Sequence, residues 1–190
     1  PLPGEPDSVI VATTRPETML GDTAVAVHPD PAGALARVES QLREKLAAAP
    51  AKEREGIQAQ LDQLVARKQT HLPQLLQLAA MAKRSVQIRL PLADRLIPLV
   101  ADEWAKPELG SGCVKITPAH DANDYEVGLR CGLPMINIMQ GDGRLNSEAG
   151  KYAGLTMKKG REAVVSDLDD LGLLGEVEDR EIDLAHSDRS

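Results

Sequence analysis

The chain has 190 residues, 42% hydrophobic and 27% charged, a balance too apolar for a disordered segment and of a length that suits one domain with a small appendage. Its net charge of −7 argues against a broad nucleic-acid clamp and leaves room only for a local basic pocket. No apolar run is long enough to span a bilayer, so no membrane partner is expected, and with 2% aromatic residues and no Phe the core must be built from Val, Ile, Leu and Ala.

The opening "PLPGEPDS" has no Met and no basic-then-apolar signal pattern, which reads as a piece of a longer protein. From Ser8 to Pro31 two β-branched runs, "SVIVAT" and "TAVAVHP", read as strands. Between them "RPETMLGD" has the Pro and Gly of a loop, and Arg15, ahead of Pro16, is pushed towards extended backbone. Residues 32–84 change character: Ala, Leu, Gln, Lys and Glu dominate, with Leu35, Val38, Leu42 and Leu46, then Ile57, Leu61 and Leu64, at helical spacing. Pro50 separates these two stretches, and "LPQLLQLAAMAKR" reads as a third helix with Pro73 in its first turn. The expectation is a self-packed antiparallel helical hairpin, inserted into the surrounding domain with its polar faces in water.

From Ser85 onwards mixed structure returns. "SVQIRLPL", "RLIPLVAD", "GCVKITP" and "PMINIM" read as strands, and "DANDYEVGLRCG" as a short helix with Asp121 at its N-cap and Gly132 ending it. "GDGRLNSEAGKYAG" reads as a polar loop and "MKKGREAVVSDLDDLGLL" as a helix with Ala163, Val164, Leu168 and Leu171 on one side. "LGEVEDREIDLAHSD" reads as a closing ribbon. Strands and helices without regular βαβ alternation indicate an α+β domain around a mostly β core, here taken as a single domain over 1–190 carrying the 32–84 insertion.

Two stretches carry chemistry. In the first, Thr13, Thr14, Arg15, Glu17 and Thr18 interrupt two apolar runs. In the second, "GSGCVKITPAHDANDYEVG", Lys115, Thr117, His120, Asp121 and Asp124 fall within ten residues at the junction of a strand and a helix N-terminus. On spacing alone Asp121 reads as an N-cap, Asp124 as an acid favoured by the helix dipole, and His120 as a turn or surface histidine. Cys113 reads as a small core residue rather than a nucleophile, and the two cysteines of the chain, Cys113 and Cys131, indicate a reducing, cytoplasmic setting rather than a disulfide framework. The four histidines are scattered without metal-ligand spacing, so no metal is expected, and no phosphate-loop, dinucleotide or serine-hydrolase motif occurs.

"TTRPETMLGDTAVAVHPD" followed by "GSGCVKITPAHDANDYEVG" resembles the editing domain of the class I aminoacyl-tRNA synthetases, the insertion of the valyl, isoleucyl and leucyl enzymes. Glu17, Met19, Leu20, Asp22, Lys115, Ile116 and Thr117 fall on the valyl side, as do "KYAGLTMKKGREAVVSDLDDLGLL" and "HSDRS". The resemblance covers Val9–His28 and roughly 86–190. Two departures stand out: the Ala-rich helices replace a short link, and "SGC" stands where "TGA" is usual.

The resemblance implies a β-barrel-like core with peripheral helices and hydrolytic proofreading of Thr-tRNA(Val), and of threonyl-adenylate as a further substrate. A leucyl- or isoleucyl-type editing domain is the alternative within the family. A non-catalytic tRNA or protein interaction module that uses the helices is the alternative outside it. Asp124, Asp121 and Lys115 are the implied catalytic group, with Asp124 on the substrate ammonium. Thr13, Thr14, Arg15, Thr18, Thr117 and His120 are the implied substrate-binding residues, with Arg15 towards the terminal adenosine or its phosphate. The partners implied are the CCA end of tRNA(Val) and the rest of the synthetase chain, with the protein a monomer. No cofactor is implied for this domain, ATP and Mg belonging to a synthetic domain outside this sequence.

Overall fold

The computed structural model describes residues 2–176, so the expected closing ribbon lies outside the described residues, apart from its first three positions. Four strands form one sheet in the order β2-β3-β1-β4. β1 (Ala24–Val27) lies beside β3 (Arg95–Ala101) in parallel, with Val25 opposite Leu99. On its other side β1 runs antiparallel to β4 (Cys113–Ile116), pairing Val25 with Lys115 and Val27 with Cys113. β2 (Gln87–Leu90) completes the sheet antiparallel to β3.

All four residues of β1 are buried, because the sheet is covered on both faces. Alternation divides them. Val25 and Val27 face the larger apolar cluster, while Ala24 and Ala26 meet Ile116, Ala105 and Val127 on the other side. Val127 belongs to α4 (Ala122–Cys131), and the two alanines leave room for that helix to lie close. α4 starts as expected: Asp121 Oδ1 accepts from the N–H groups of Asn123 (2.8 Å) and Asp124 (3.1 Å), and Gly132 ends it in the left-handed region at φ 63°.

The helical stretch is three helices, α1 (Pro31–Ala48), α2 (Ala51–Thr70) and α3 (Leu72–Lys83). Asp30 caps α1 through Gly33 N–H at 3.0 Å. α1 and α2 pack on each other, joined also by Lys68–Glu39 at 2.6 Å, and their tips are exposed. α3 behaves differently from a solvated insertion. Its Leu75, Leu78, Ala79, Met81 and Ala82 are buried in the main core, and the helix packs on β1 and β3. The helical segment is thus a polar hairpin whose third helix is one layer of the domain. α5 (Met157–Asp170) buries Val164 and Leu168 as expected, packs against a 3-10 helix at Pro16–Gly21, and leaves Leu171 exposed.

The described residues form a mixed α/β domain, and three strand-level expectations change. A barrel-like closure is not seen among them: the four-stranded sheet is open, with β2 and β4 as its edges, and four strands are too few to close round a core. "SVIVAT" forms no ladder, Val9 and Val11 packing on the core while Ile10 faces solvent. "PMINIM" contributes only a bridge between Met139 and Leu145. Side chains take the donors a ladder needs there: Ile138 N–H goes to His120 Nε2 (3.0 Å) and Met139 N–H to Asn137 Oδ1 (2.9 Å).

Candidate functional site

The two polar stretches meet. Arg15 and His120 are 105 residues apart, yet the Arg15 guanidinium donates to the His120 carbonyl at 3.0 Å. Arg15 sits at φ −131° and ψ 66°, short of the extended backbone expected ahead of Pro16, and Thr13 Oγ1 accepts its N–H at 3.0 Å, so the exposed turn Thr13–Thr14–Arg15 is fixed from within. The next turn is buried. Thr18 Oγ1 donates back to the Arg15 carbonyl at 2.9 Å, which closes the 3-10 helix. Glu17, 3% exposed, accepts a two-pronged contact from Arg161 of α5 at 2.9 and 3.1 Å.

Behind this turn lies a buried charged network. Lys115 on β4 points to the same face as Thr117, as strand alternation requires, and its ammonium donates to Asp22 Oδ1 at 2.8 Å. The Thr117 hydroxyl bridges the same two groups, in contact with Lys115 Nζ and donating to Asp22 Oδ1. Burial pushes the Asp22 carboxyl up to about 6, against the pull of Lys115 and Thr117. Arg95 donates to the carbonyls of Leu20 (3.0 Å) and Asp22 (2.8 Å) and so fixes the backbone that presents this carboxylate.

Asp124 lies on the other side of Thr117. Its Oδ2 accepts the Thr117 N–H at 2.9 Å. Burial holds its carboxyl above the ordinary range, the Thr117 N–H pulling the other way. His120 is held below its usual value by burial first and by Arg15 and Lys115 next, so at neutral pH it is uncharged. Because Nε2 accepts from Ile138, the proton of the neutral ring sits on Nδ1. Cys113 is a core residue whose thiol burial pushes up to about 11, which keeps it protonated at neutral pH.

The structure therefore brings Arg15, Lys115, Thr117, His120, Asp121 and Asp124 into one region at the end of β4. Thr13 and Thr14 stand at its exposed side, while the Thr18 hydroxyl is turned into backbone. Two contributors, Asp22 and Glu17, carry the resemblance but stand outside the implied catalytic and substrate-binding residues. A signal for Asp22 was present: an acid ahead of "TAVAV" and a lysine inside "CVKI" are opposite charges in two buried strands, and each needs the other. Among the described residues, no three His, Cys, Asp or Glu side chains gather as a metal-ligand set, and no helix is long and apolar enough to cross a membrane.

Comparison with known proteins places this arrangement. Residues 1–169 match the family model described as "Leucyl-tRNA synthetase, editing domain". The whole chain is 64% identical to part of the valine--tRNA ligase of Rhodopirellula baltica, 40% to that of Dechloromonas aromatica and 38% to that of Francisella tularensis. It spans less than a fifth of their length, 18%, 15% and 16% respectively. A solved ternary complex of the Agrobacterium radiobacter K84 agnB2 LeuRS with tRNA and LeuAMS is similar at 22% identity and a TM-score of 0.45, over 88% of this chain and 18% of that one. On the match over residues 1–169, this chain belongs to the family of aminoacyl-tRNA synthetase editing domains, and along its whole length it matches a stretch of valine--tRNA ligases.

Proposed function

We propose that this domain proofreads a valyl-type synthetase by hydrolysing Thr-tRNA(Val) to threonine and free tRNA. The observation that carries the reading is the Arg15–His120 contact, which sets the exposed Thr13–Thr14 turn against the strand-to-helix junction bearing Thr117 and Asp124. Threonine and valine are near isosteres, so an apolar activation pocket rejects threonine poorly; discrimination of the two by the valyl enzyme is a standing illustration of this limit. A second site rich in hydroxyl and carboxylate partners inverts the preference, because valine would leave those partners unpaired.

Asp124 is the group suited to the substrate ammonium, as a fixed anion that complements a cation. It is itself oriented by Thr117 N–H. Arg15, half-exposed at the rim with a planar fork, suits the terminal nucleotide or its phosphate. Lys115 is committed inwards to Asp22, so its part is to hold Thr117 in place and supply positive charge from behind the strand. Asp121 shapes the junction by capping α4. Water adds to the ester carbonyl carbon, and the tetrahedral intermediate expels the ribose hydroxyl of the terminal adenosine. An aminoacyl ester is already activated, so positioning and oxyanion stabilisation suffice without a cofactor. The CCA end of tRNA(Val) is the partner, presented by the remainder of a cytoplasmic synthetase chain.

The test is deacylation of Thr-tRNA(Val) by the full-length enzyme, wild type against Asp124→Ala. A fall of at least a hundredfold is expected, and an unchanged rate refutes the assignment. Running mischarged leucine and isoleucine tRNAs beside it separates a valyl-type site from its relatives.

A further inference from the structure

The helices between β1 and β2 hold the loop before β4 by hydrogen bonds from one side chain of α2. Arg67, half-buried near the end of α2, donates from Nε to the Pro107 carbonyl at 2.6 Å. Its Nη2 donates to the carbonyls of Leu109 at 3.1 Å and Gly110 at 2.6 Å. These carbonyls belong to the loop between β3 and β4, where no strand offers donors. A guanidinium is the one side chain with enough fixed donors to gather three such carbonyls. The loop is further folded by the Leu109 N–H to Lys106 and the Gly112 N–H to Leu109, at 3.1 and 2.8 Å.

The end of that loop nearest β4 bears on the site. A methyl placed on Gly110 would sit 3.8 Å from the Ala12 side chain, so the loop lies against the residue that precedes Thr13 and Thr14. At Gly112, φ is 80° and a methyl would lie 2.7 Å from Leu75 of α3, so the backbone passes directly over the inserted helices before it becomes β4. β4 then delivers Lys115 and Thr117.

We infer that Arg67 is a positioning residue for the deacylation reaction: by gathering the carbonyls of residues 107, 109 and 110, it fixes the loop that spaces the Thr13–Arg15 turn from β4. The helical segment is then a buttress of the site rather than an outward spacer. The inference rests on the proofreading reading above.

The test uses the full-length synthetase carrying Arg67→Met, which keeps the stem and removes the donors, and Arg67→Lys, which keeps the charge and loses the fork. In Arg67→Met, kcat for Thr-tRNA(Val) deacylation is expected to fall about tenfold with KM changed less than twofold, since the groups shift relative to one another while the binding surface persists. Arg67→Lys should fall between it and wild type. Amide hydrogen exchange should quicken at least tenfold over residues 107–113 and stay unchanged over α3. Wild-type kcat in Arg67→Met beside an inactive Asp124→Ala overturns the inference. So does equal quickening over α3, which would make Arg67 a general stability residue. Wild-type rates in Asp124→Ala overturn the proofreading reading instead, and the exchange over 107–113 then decides by itself whether Arg67 holds the loop.

Discussion

Asp22 shows what a single residue contributes to a buried polar site. An ordinary aspartate titrates at 3.8, and burial raises this one to about 6. The folded chain therefore holds the Asp22 proton more tightly than the unfolded chain does. Its contribution to stability falls as pH rises from about 4 to about 6 and is constant above that, a loss on the order of 3 kcal/mol. Asp22→Asn has no such proton to lose. Its stability relative to wild type should rise by roughly that amount between pH 4 and pH 7 in urea titrations. A relative stability that falls with pH would instead mark Asp22 as a carboxylate stabilised by its lysine. The motif made Lys115, Thr117, Asp121 and Asp124 legible as a group, but not that Lys115 and Thr117 are both committed to Asp22. That depends on strand register: Val25 pairs with Lys115, which turns the ammonium to the face where Asp22 ends the 3-10 turn. Register is a long-range property that local pattern does not carry.

At the scale of elements, helical periodicity and capping were readable wherever the chain supplied its own partners. α4 has its Asp121 cap and Gly132 stop, α3 has Pro73 in its first turn, and α5 buries Val164 and Leu168 of the side that spacing marked. Strands were readable only as apolar runs, because pairing is decided elsewhere. "SVIVAT" has the composition of a strand and finds no ladder. The role of α3 was hidden for the same reason: Leu75, Leu78 and Met81 look alike whether they face other inserted helices or the sheet. Their burial against β1 and β3 makes excision of residues 32–84 a core deletion. Loss of one such leucine costs about 2–5 kcal/mol against a total stability of about 5–15 kcal/mol. The excised chain should show no cooperative melt by circular dichroism. A cooperative transition there would show that α3 is dispensable.

For the whole molecule, charge and length set the partnership. At −7 the domain repels a polyanion on average, and Arg15 is a half-exposed cation at the rim of the site. The isolated chain should bind tRNA far more weakly than a full-length enzyme does, with a dissociation constant at least a hundredfold higher in filter-binding titrations at equal salt. Comparable affinities would move the main tRNA contact into this domain. The Arg15–His120 contact has a consequence in time as well as in space. It closes a span of 105 residues, for which loop-closure entropy alone is about 4 kcal/mol, whereas the helices within that span need only neighbours to form. The helices can therefore form early and the pocket only late. On a growing chain, every residue up to α4 must have emerged before the two halves of the pocket can meet, so proofreading is among the last properties the domain acquires and among the first it loses when partly unfolded.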